Sequence, residues 1–133
     1  MKIMIDTNVI ISAALNPKSI SAASMYKALT YPYEPVVCDY IIDELHRKFE
    51  EKFPHKLVEL EAFLYQFEKT VNVVKTPRAK TRIEGLVRDQ KDQPIIRAAI
   101  HAKVDILLTG DKDFLESGIA SPRIMNPREF LSL

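Results

Sequence analysis

Short apolar runs alternate with stretches of helical spacing, and this alternation constrains the fold more than any other feature of the chain. Buried strands are predicted at residues 2–5, 36–38, 71–74 and 104–108, with a last short strand at residues 123–125. Helical spacing covers residues 20–29, the segment from residue 40 to Pro54, and residues 57–67, 83–87 and 92–100. Strands that alternate with helices predict an α/β fold of three layers, α/β/α, with a central, mostly parallel sheet.

Length and composition predict one globular domain comprising residues 1–133. The chain is 47% hydrophobic and 28% charged, close to the globular average, and it shows no internal repeat or linker. No basic and apolar leader and no run long enough to cross a bilayer is present, which favours a cytoplasmic protein without membrane contact. The single Cys38 lies in an apolar run and is expected to be a small buried side chain in a reducing compartment.

Four acidic residues far apart in the sequence each lie beside a predicted strand or helix. Asp6 ends the first strand, and Asp111 follows the strand at residues 104–108. Glu44 lies one turn into the helix after the second strand, while Asp92 opens the helix that leads into residues 104–108. Right-handed crossovers bring the carboxyl ends of parallel strands to one edge, so the four carboxylates are expected to converge there. Such convergence implies a cation or a basic partner that offsets their repulsion.

Each acid also has a purely structural explanation. Asp6 could form an Asx turn with Asn8, Asp92 could cap its helix, and Asp111 could cap the turn that holds Phe114. Glu44 comes too late in its helix to be a cap, although a solvated position would also explain it. The four acids occur together in this order, which favours a shared site over four independent caps.

The same residues resemble the PIN-domain ribonucleases, over nearly the whole chain. The resemblance rests on the start Ile5-Asp6-Thr7-Asn8, on Glu44, on Asp92 before an Ile/Ala-rich helix, and on residues 107–114, which read Leu-Leu-Thr-Gly-Asp-Lys-Asp-Phe. It is closest to the bacterial and archaeal toxins of toxin-antitoxin pairs. The resemblance implies a protein that binds Mg²⁺ or Mn²⁺ and cleaves single-stranded RNA. It implies Asp6, Glu44, Asp92 and Asp111 as catalytic metal ligands, with Asp113 as a fifth ligand. Asp89 has no matching position in the motif of the family.

The residue types suit this chemistry independently of the resemblance. Magnesium and manganese prefer carboxylate oxygen and water, and the acidic signatures contain neither His nor Cys at metal spacing, which argues against zinc. Thr7, Asn8 and Thr109 are candidates to orient ligands or water, although a Thr at a strand end often satisfies only backbone groups. His46, His55 and His101 have no partner at metal spacing and are expected on the surface or in the core.

A basic segment provides candidate RNA contacts, although the formal net charge is only +1. Its members are Lys75, Arg78, Lys80, Arg82 and Arg88, with Glu84 as the one acid among them, and Lys112 is a further candidate. A solvated loop and helix face is the alternative explanation. Tyrosines could stack on bases, but Tyr26, Tyr40 and Tyr65 fall in predicted helices, where packing is the expected role.

The function predicted is a metal-dependent endoribonuclease that cleaves single-stranded RNA, as the toxin of a toxin-antitoxin pair. The expected partners are RNA, an antitoxin protein and a second copy of the chain, for which the amphipathic helix at residues 57–67 could supply an interface. Two alternatives remain open. One is a catalytically inactive scaffold that still binds RNA, and the other is a phosphoacceptor receiver-like domain, which would need a second acid beside Asp6.

Overall fold

The computed structural model describes residues 1–133 and contains one five-stranded sheet. Its strands are β1 (Lys2–Ile5), β2 (Glu34–Cys38), β3 (Asn72–Val74), β4 (Ile106–Leu108) and β5 (Arg123–Met125). They lie in the order β3-β2-β1-β4-β5, and every neighbouring pair is parallel. The predicted α/β class is therefore confirmed, and the sheet is parallel throughout.

Seven α-helices and two short 3-10 turns connect and flank the strands. The helices are α1 (Thr7–Leu15), α2 (Ile20–Ala28), α3 (Asp39–Lys52), α4 (Leu57–Thr70), α5 (Gln93–His101), α6 (Lys112–Leu115) and α7 (Pro127–Leu131), and the 3-10 turns are Pro54–Lys56 and Ile83–Leu86. The strand order reverses direction at β1, so right-handed crossovers place helices on both faces of the sheet. None of the helices is both long and apolar enough to cross a membrane.

The central strands are buried on both faces, which explains why their sequences are continuously apolar rather than alternating. Ile3, Met4 and Ile5 of β1 and Leu107 and Leu108 of β4 have no exposed surface. Met4 lies opposite Val36 on one side and Leu107 on the other. The sheet core therefore positions whatever follows Ile5 and Leu108.

Helix α1 was not predicted, because no helical spacing was recognised between the first strand and residue 20. The helix buries Val9, Ile10 and Ala13, and Asp6 caps it by accepting a hydrogen bond from the Thr7 backbone N–H. A run of β-branched residues without a charged face carries little helical signal. Burial of this face against the rest of the fold outweighs the weak intrinsic preference.

Two predicted boundaries were wrong for identifiable reasons. The fourth strand begins at Ile106 rather than residue 104, because the Val104 N–H donates to Ala99 O and Lys103 adopts φ 57. This is a Schellman ending of α5, and it removes Val104 from the strand ladder. Helix α3 begins at Asp39, one residue before the predicted segment, and Asp39 Oδ1 accepts from the Tyr40 N–H and from the Thr76 N–H and hydroxyl. Asp39 thus ties the start of α3 to the segment after β3.

The amphipathic face of α4 packs against the protein's own core. Leu60, Leu64 and Phe67 are buried there, while Val58 and Tyr65 are exposed. The apolar stripe predicted at residues 57–67 is therefore explained by packing within one chain. A homodimer remains a prediction.

Truncation of a fully buried strand residue should test the sheet core. We expect Leu107→Ala to lower the free energy of unfolding by about 3 kcal/mol, because it removes apolar contacts and leaves a cavity. Urea unfolding followed by circular dichroism measures the change. Val58→Ala, at a position that is 80% exposed, is the control and should cost less than about 0.5 kcal/mol. Equal losses in the two variants would contradict the described core.

Candidate active site

The site begins where the two central strands end. Asp6 directly follows β1, its backbone N–H donates to Leu108 O at 2.9 Å, and its side chain is only 3% exposed. Since the strand order reverses at β1, this edge is the point where parallel α/β sheets place their ligands. A carboxylate held in this position is costly to desolvate and needs specific partners.

Thr109 links the ends of these two strands through its hydroxyl group. The Oγ1 atom donates to Asp6 Oδ2 at 2.7 Å and accepts from the Asp111 backbone N–H at 3.0 Å. Asn8 Oδ1 accepts a weaker bond from the Gly110 N–H at 3.3 Å. Thr7 contributes its backbone N–H to Asp6 Oδ1 at 2.8 Å, whereas its buried hydroxyl has no protein partner. The segments that carry Asp6 and Asp111 are thereby held together.

Glu44 and Asp92 approach the same edge from helices α3 and α5. Glu44 is 5% exposed, and Asp92 lies at the start of α5 without making a side-chain cap. The Asp92 side chain lies instead close enough to Asp111 for the two acids to perturb one another. Capping therefore does not explain Asp92, whereas Asp111 does cap α6 by accepting from the Asp113 N–H at 2.9 Å. Asp111 serves the cap and the acidic site together.

A cavity of about 580 Å³ opens over these acids. Three of the four acids predicted as catalytic line it directly, and Asp6 lies outside its lining. The lining residues are Tyr40, Glu44, Arg47, Lys48, Glu51, Asp89, Lys91, Asp92 and Asp111. The cavity wall therefore carries carboxylates and cations together, with Tyr40 as its one apolar contribution.

Burial and mutual repulsion raise the pKa values of two of the acids. Burial raises the pKa of Asp6 to about 6, against the hydrogen bonds from Thr109 and Thr7, and the charges of Glu44 and Asp111 raise it further. Burial also raises the pKa of Asp92, and its close approach to Asp111 and the charges of Asp111, Asp6 and Asp89 raise it further. The four acids are thus close enough to act on one another, and a cation among them would relieve the repulsion.

The family model described as PIN domain matches residues 2–113. This match covers the strands β1 to β4 and all the acids described above. The chain belongs to the PIN domain family. No curated protein sequence matches the chain significantly.

Solved structures show the same fold at low sequence identity. VapBC2 from Rickettsia felis, bound to a promoter DNA fragment, has a TM-score of 0.70 at 17% identity, over 95% of this chain and 98% of that chain. FitAcB from Neisseria gonorrhoeae has a TM-score of 0.69 at 17% identity, over 95% of this chain and 98% of that chain. VapC20 from Mycobacterium tuberculosis, a sarcin-ricin loop cleaving toxin, has a TM-score of 0.61 at 14% identity, over 89% of this chain and 96% of that chain.

The tightest group of acids in this PIN domain differs from the predicted set. Asp89, Asp92 and Asp113 can each place a carboxylate oxygen within 4.8 Å of the other two. Asp89, which matched no motif position, therefore lies beside the candidate ligands. Asp113, predicted as a fifth ligand, forms an ion pair with Arg88, with Nε and Nη2 at 2.9 and 2.5 Å from Oδ1. The donors are all carboxylates, which fit Mg²⁺ or Mn²⁺ better than zinc.

The predicted basic segment lies apart from the acidic cavity. Lys75, Arg78, Lys80 and Arg82 are exposed, but none of them lines it. Arg88 and Lys112 line a separate small cavity of about 150 Å³ beside Asp113. Arg88 is therefore largely engaged by an acid of its own chain.

Glu84, the one acid of the basic segment, anchors that segment to α5. Arg97 donates from Nε and Nη2 to its two carboxylate oxygens at 3.0 and 2.7 Å, and Arg97 Nη1 reaches Pro77 O at 3.1 Å. Hydrogen bonds from Arg97, and then from Thr81, hold the pKa of Glu84 at about 2, despite its burial. No role was predicted for Arg97.

Three cations of the cavity wall, Arg47, Lys48 and Lys91, were not among the predicted site residues. Two of them belong to a polar stripe of α3 that could have been found from helical spacing, since Tyr40, Glu44, Arg47, Lys48 and Glu51 recur every three or four residues. Tyr40 packs against the core, as expected, and its hydroxyl also donates to Lys91 O at 2.5 Å. His46 bonds Glu61 at 2.7 Å, away from the cavity, as expected for a surface histidine.

Loss of the buried Glu84 carboxylate should destabilise the fold. We expect Glu84→Gln to lower the free energy of unfolding by about 3 kcal/mol at neutral pH, because it leaves Arg97, whose side chain is 11% exposed, without its charge partner. Urea unfolding measures the loss. Glu61→Gln removes an exposed pair with His46 and is the control, with an expected cost below about 1 kcal/mol.

The same pair predicts a specific pH dependence. The pKa of Glu84 is lowered on folding from 4.5 to about 2, so its stabilising effect is complete above the unfolded value and is lost as the pH falls toward the folded one. The difference in unfolding free energy between wild type and Glu84→Gln should therefore be constant near neutral pH and should shrink below pH 4.5. A difference that stays unchanged down to pH 3 would contradict the assignment.

Proposed function

We propose that this PIN domain is a metal-dependent endoribonuclease that cleaves single-stranded RNA. The observation that carries the proposal is the acidic site, in which Glu44, Asp92 and Asp111 line one cavity and the pKa of Asp6 is raised by burial and, to a smaller extent, by Glu44 and Asp111. Membership of the PIN domain family supports a nuclease. Acids that repel one another in a folded protein are a recognised feature of functional sites.

Asp6, Glu44, Asp92 and Asp111 would hold Mg²⁺ or Mn²⁺, directly or through water, with Asp89 and Asp113 at the margin of the site. A divalent ion in this position supplies a reactive hydroxide from water at neutral pH and neutralises charge on the phosphate. Thr109 keeps Oδ2 of Asp6 fixed and keeps Asp111 beside it, so the acids need little reorganisation on binding. Asn8 holds the Gly110 backbone in the same arrangement.

We further propose that the 133 residues act as one toxin domain in the cytoplasm, controlled by an antitoxin. The solved structures of similar fold support this, because they include VapBC and FitAB complexes from several bacteria and a toxin that cleaves the sarcin-ricin loop. A second copy of the chain is a further proposed partner. An inactive scaffold that binds RNA without cleaving it is the alternative that the following experiment separates.

Removal of individual acids tests the proposed activity. Wild type should cleave a fluorescent single-stranded RNA in Mn²⁺ and lose cleavage in EDTA. Asp6→Asn, Glu44→Gln, Asp92→Asn and Asp111→Asn should each lower kcat/KM by about 100-fold or more, because each loses a ligand charge. Asp43→Asn is the matched control, since Asp43 is exposed next to Glu44 and does not line the cavity.

Thermal unfolding gives a second readout that does not depend on cleavage. Ligand binding to the folded state raises stability, so Mn²⁺ should raise the Tm of wild type and of Asp43→Asn. It should raise the Tm of Asp92→Asn much less. Cleavage that persists in EDTA would contradict the metal mechanism, and RNA binding without any cleavage in Mn²⁺ would favour the inactive scaffold.

A further inference from the structure

Helix α3 presents one polar stripe to the acidic cavity and one apolar stripe to the core. Glu44, Arg47 and Glu51 line the cavity at spacings of three and four residues, while Ile41, Leu45 and Phe49 are buried. The position of Arg47 beside Glu44 is therefore fixed by the same packing that holds the helix. A cation placed in this way lies next to a candidate metal ligand without depending on a loop.

The Arg47 guanidinium keeps most of its hydrogen-bonding capacity. Its Nη2 atom is 3.7 Å from Glu44 Oε2, which is longer than a full hydrogen bond, and its side chain is 51% exposed. A guanidinium presents five N–H donors in a planar fork that matches a phosphate in two-point contact. Arg47 is thus available to an anionic ligand that enters the cavity.

Other arginines near this edge are already engaged. Arg88 directs Nε and Nη2 to Asp113, and Arg97 directs its guanidinium to Glu84 and to Pro77 O. Arg78 and Arg82 are exposed but do not line the cavity. Arg47 is therefore the arginine of the cavity wall.

Lys91 faces the cavity from a different element. The Tyr40 hydroxyl donates to Lys91 O at 2.5 Å, which fixes the backbone of the turn before α5 against α3. Lys48, which like Arg47 lies on α3, is the third cation of the cavity wall. The cations offset part of the negative field that Glu44, Asp92 and Asp111 would otherwise present to a polyanion.

We propose that Arg47 binds a backbone phosphate of the RNA inside the acidic cavity, with Lys91 assisting from the turn before α5. The inference rests on the proposed ribonuclease function and names a part of its substrate recognition. The principal phosphate contact is then made by helix α3 and not, as the sequence predicts, by the basic segment at residues 75–82. The interaction is with phosphate, so it contributes affinity for single-stranded RNA of any sequence.

Steady-state cleavage of a fluorescent single-stranded RNA in Mn²⁺ tests the role of Arg47. We expect Arg47→Gln to raise KM about tenfold, the effect of losing one charge-assisted contact, and to leave kcat within about twofold. Arg47→Lys keeps the charge but not the planar fork, so its KM should lie between those of wild type and Arg47→Gln. Arg123→Gln is the control, because Arg123 is exposed at the start of β5, at the opposite edge of the sheet from the cavity.

Binding without cleavage separates this inference from the proposed function. Fluorescence anisotropy in an Asp92→Asn background and EDTA measures RNA affinity across a series of salt concentrations. Addition of Arg47→Gln should weaken binding and reduce the slope of log K against log salt by about one phosphate contact. This result would support the inference even if wild type cleaved no RNA, an outcome that would overturn only the proposed function.

Three results would overturn the role of Arg47 while leaving the nuclease proposal intact. The first is an unchanged KM and salt slope in Arg47→Gln. The second is a raised KM in the combined variant Arg78→Gln, Lys80→Gln and Arg82→Gln with no change in Arg47→Gln. The third is an altered Mn²⁺ concentration for half-maximal activity in Arg47→Gln, because the substitution would then act through Glu44. Circular dichroism and Tm establish that each variant is folded.

Discussion

The hydroxyl group of Thr109 is the interaction on which the site depends most. It donates to a buried carboxylate oxygen of Asp6 and accepts from the backbone of Asp111, so one side chain joins the ends of two neighbouring parallel strands. The strands themselves are fixed by complete burial of their side chains. Because the sheet core sets the positions of Ile5 and Leu108, the acids that follow them have little freedom to separate under their mutual repulsion.

This repulsion has a cost that the rest of the fold must offset. Burial and neighbouring charges raise the pKa values of Asp6 and Asp92, which means that the ionised forms are destabilised in the folded protein. Elsewhere the opposite arrangement is found, since Arg97 neutralises the buried Glu84 and lowers its pKa. A group of mutually repelling acids in the same fold as a neutralised buried acid is the pattern expected where stability has been exchanged for function.

The sequence predicted those parts of the structure that depend on burial alone. β1 was predicted with the observed bounds, since its apolar run is buried in the sheet. The bounds of β5 were also predicted, although only Met125 of that strand is buried. Helix α1 was missed because Val9 and Ile10 are weak helix formers whose helical state comes from tertiary packing. The start of β4 was misplaced because a left-handed Lys103 cannot be read from local composition.

The candidate site was predictable to a similar extent. The four acids could be identified from their positions beside strands and helices, whereas the pairing of Arg88 with Asp113 joins residues 25 positions apart and leaves no local signal. The cavity cations on α3 could have been found from helical periodicity, but periodicity alone does not say which polar face meets a ligand.

The two faces of α3 have a consequence for how this protein can change over time. Insertion or deletion of one residue between Tyr40 and Glu44 would rotate the remainder of the helix by about 100°. This one rotation would move Glu44 and Arg47 away from the cavity and would also move Leu45 and Phe49 out of the core. A single substitution leaves the register of the helix unchanged. The length of the helix up to Glu51, in contrast, is constrained by the core on one side and by the cavity on the other.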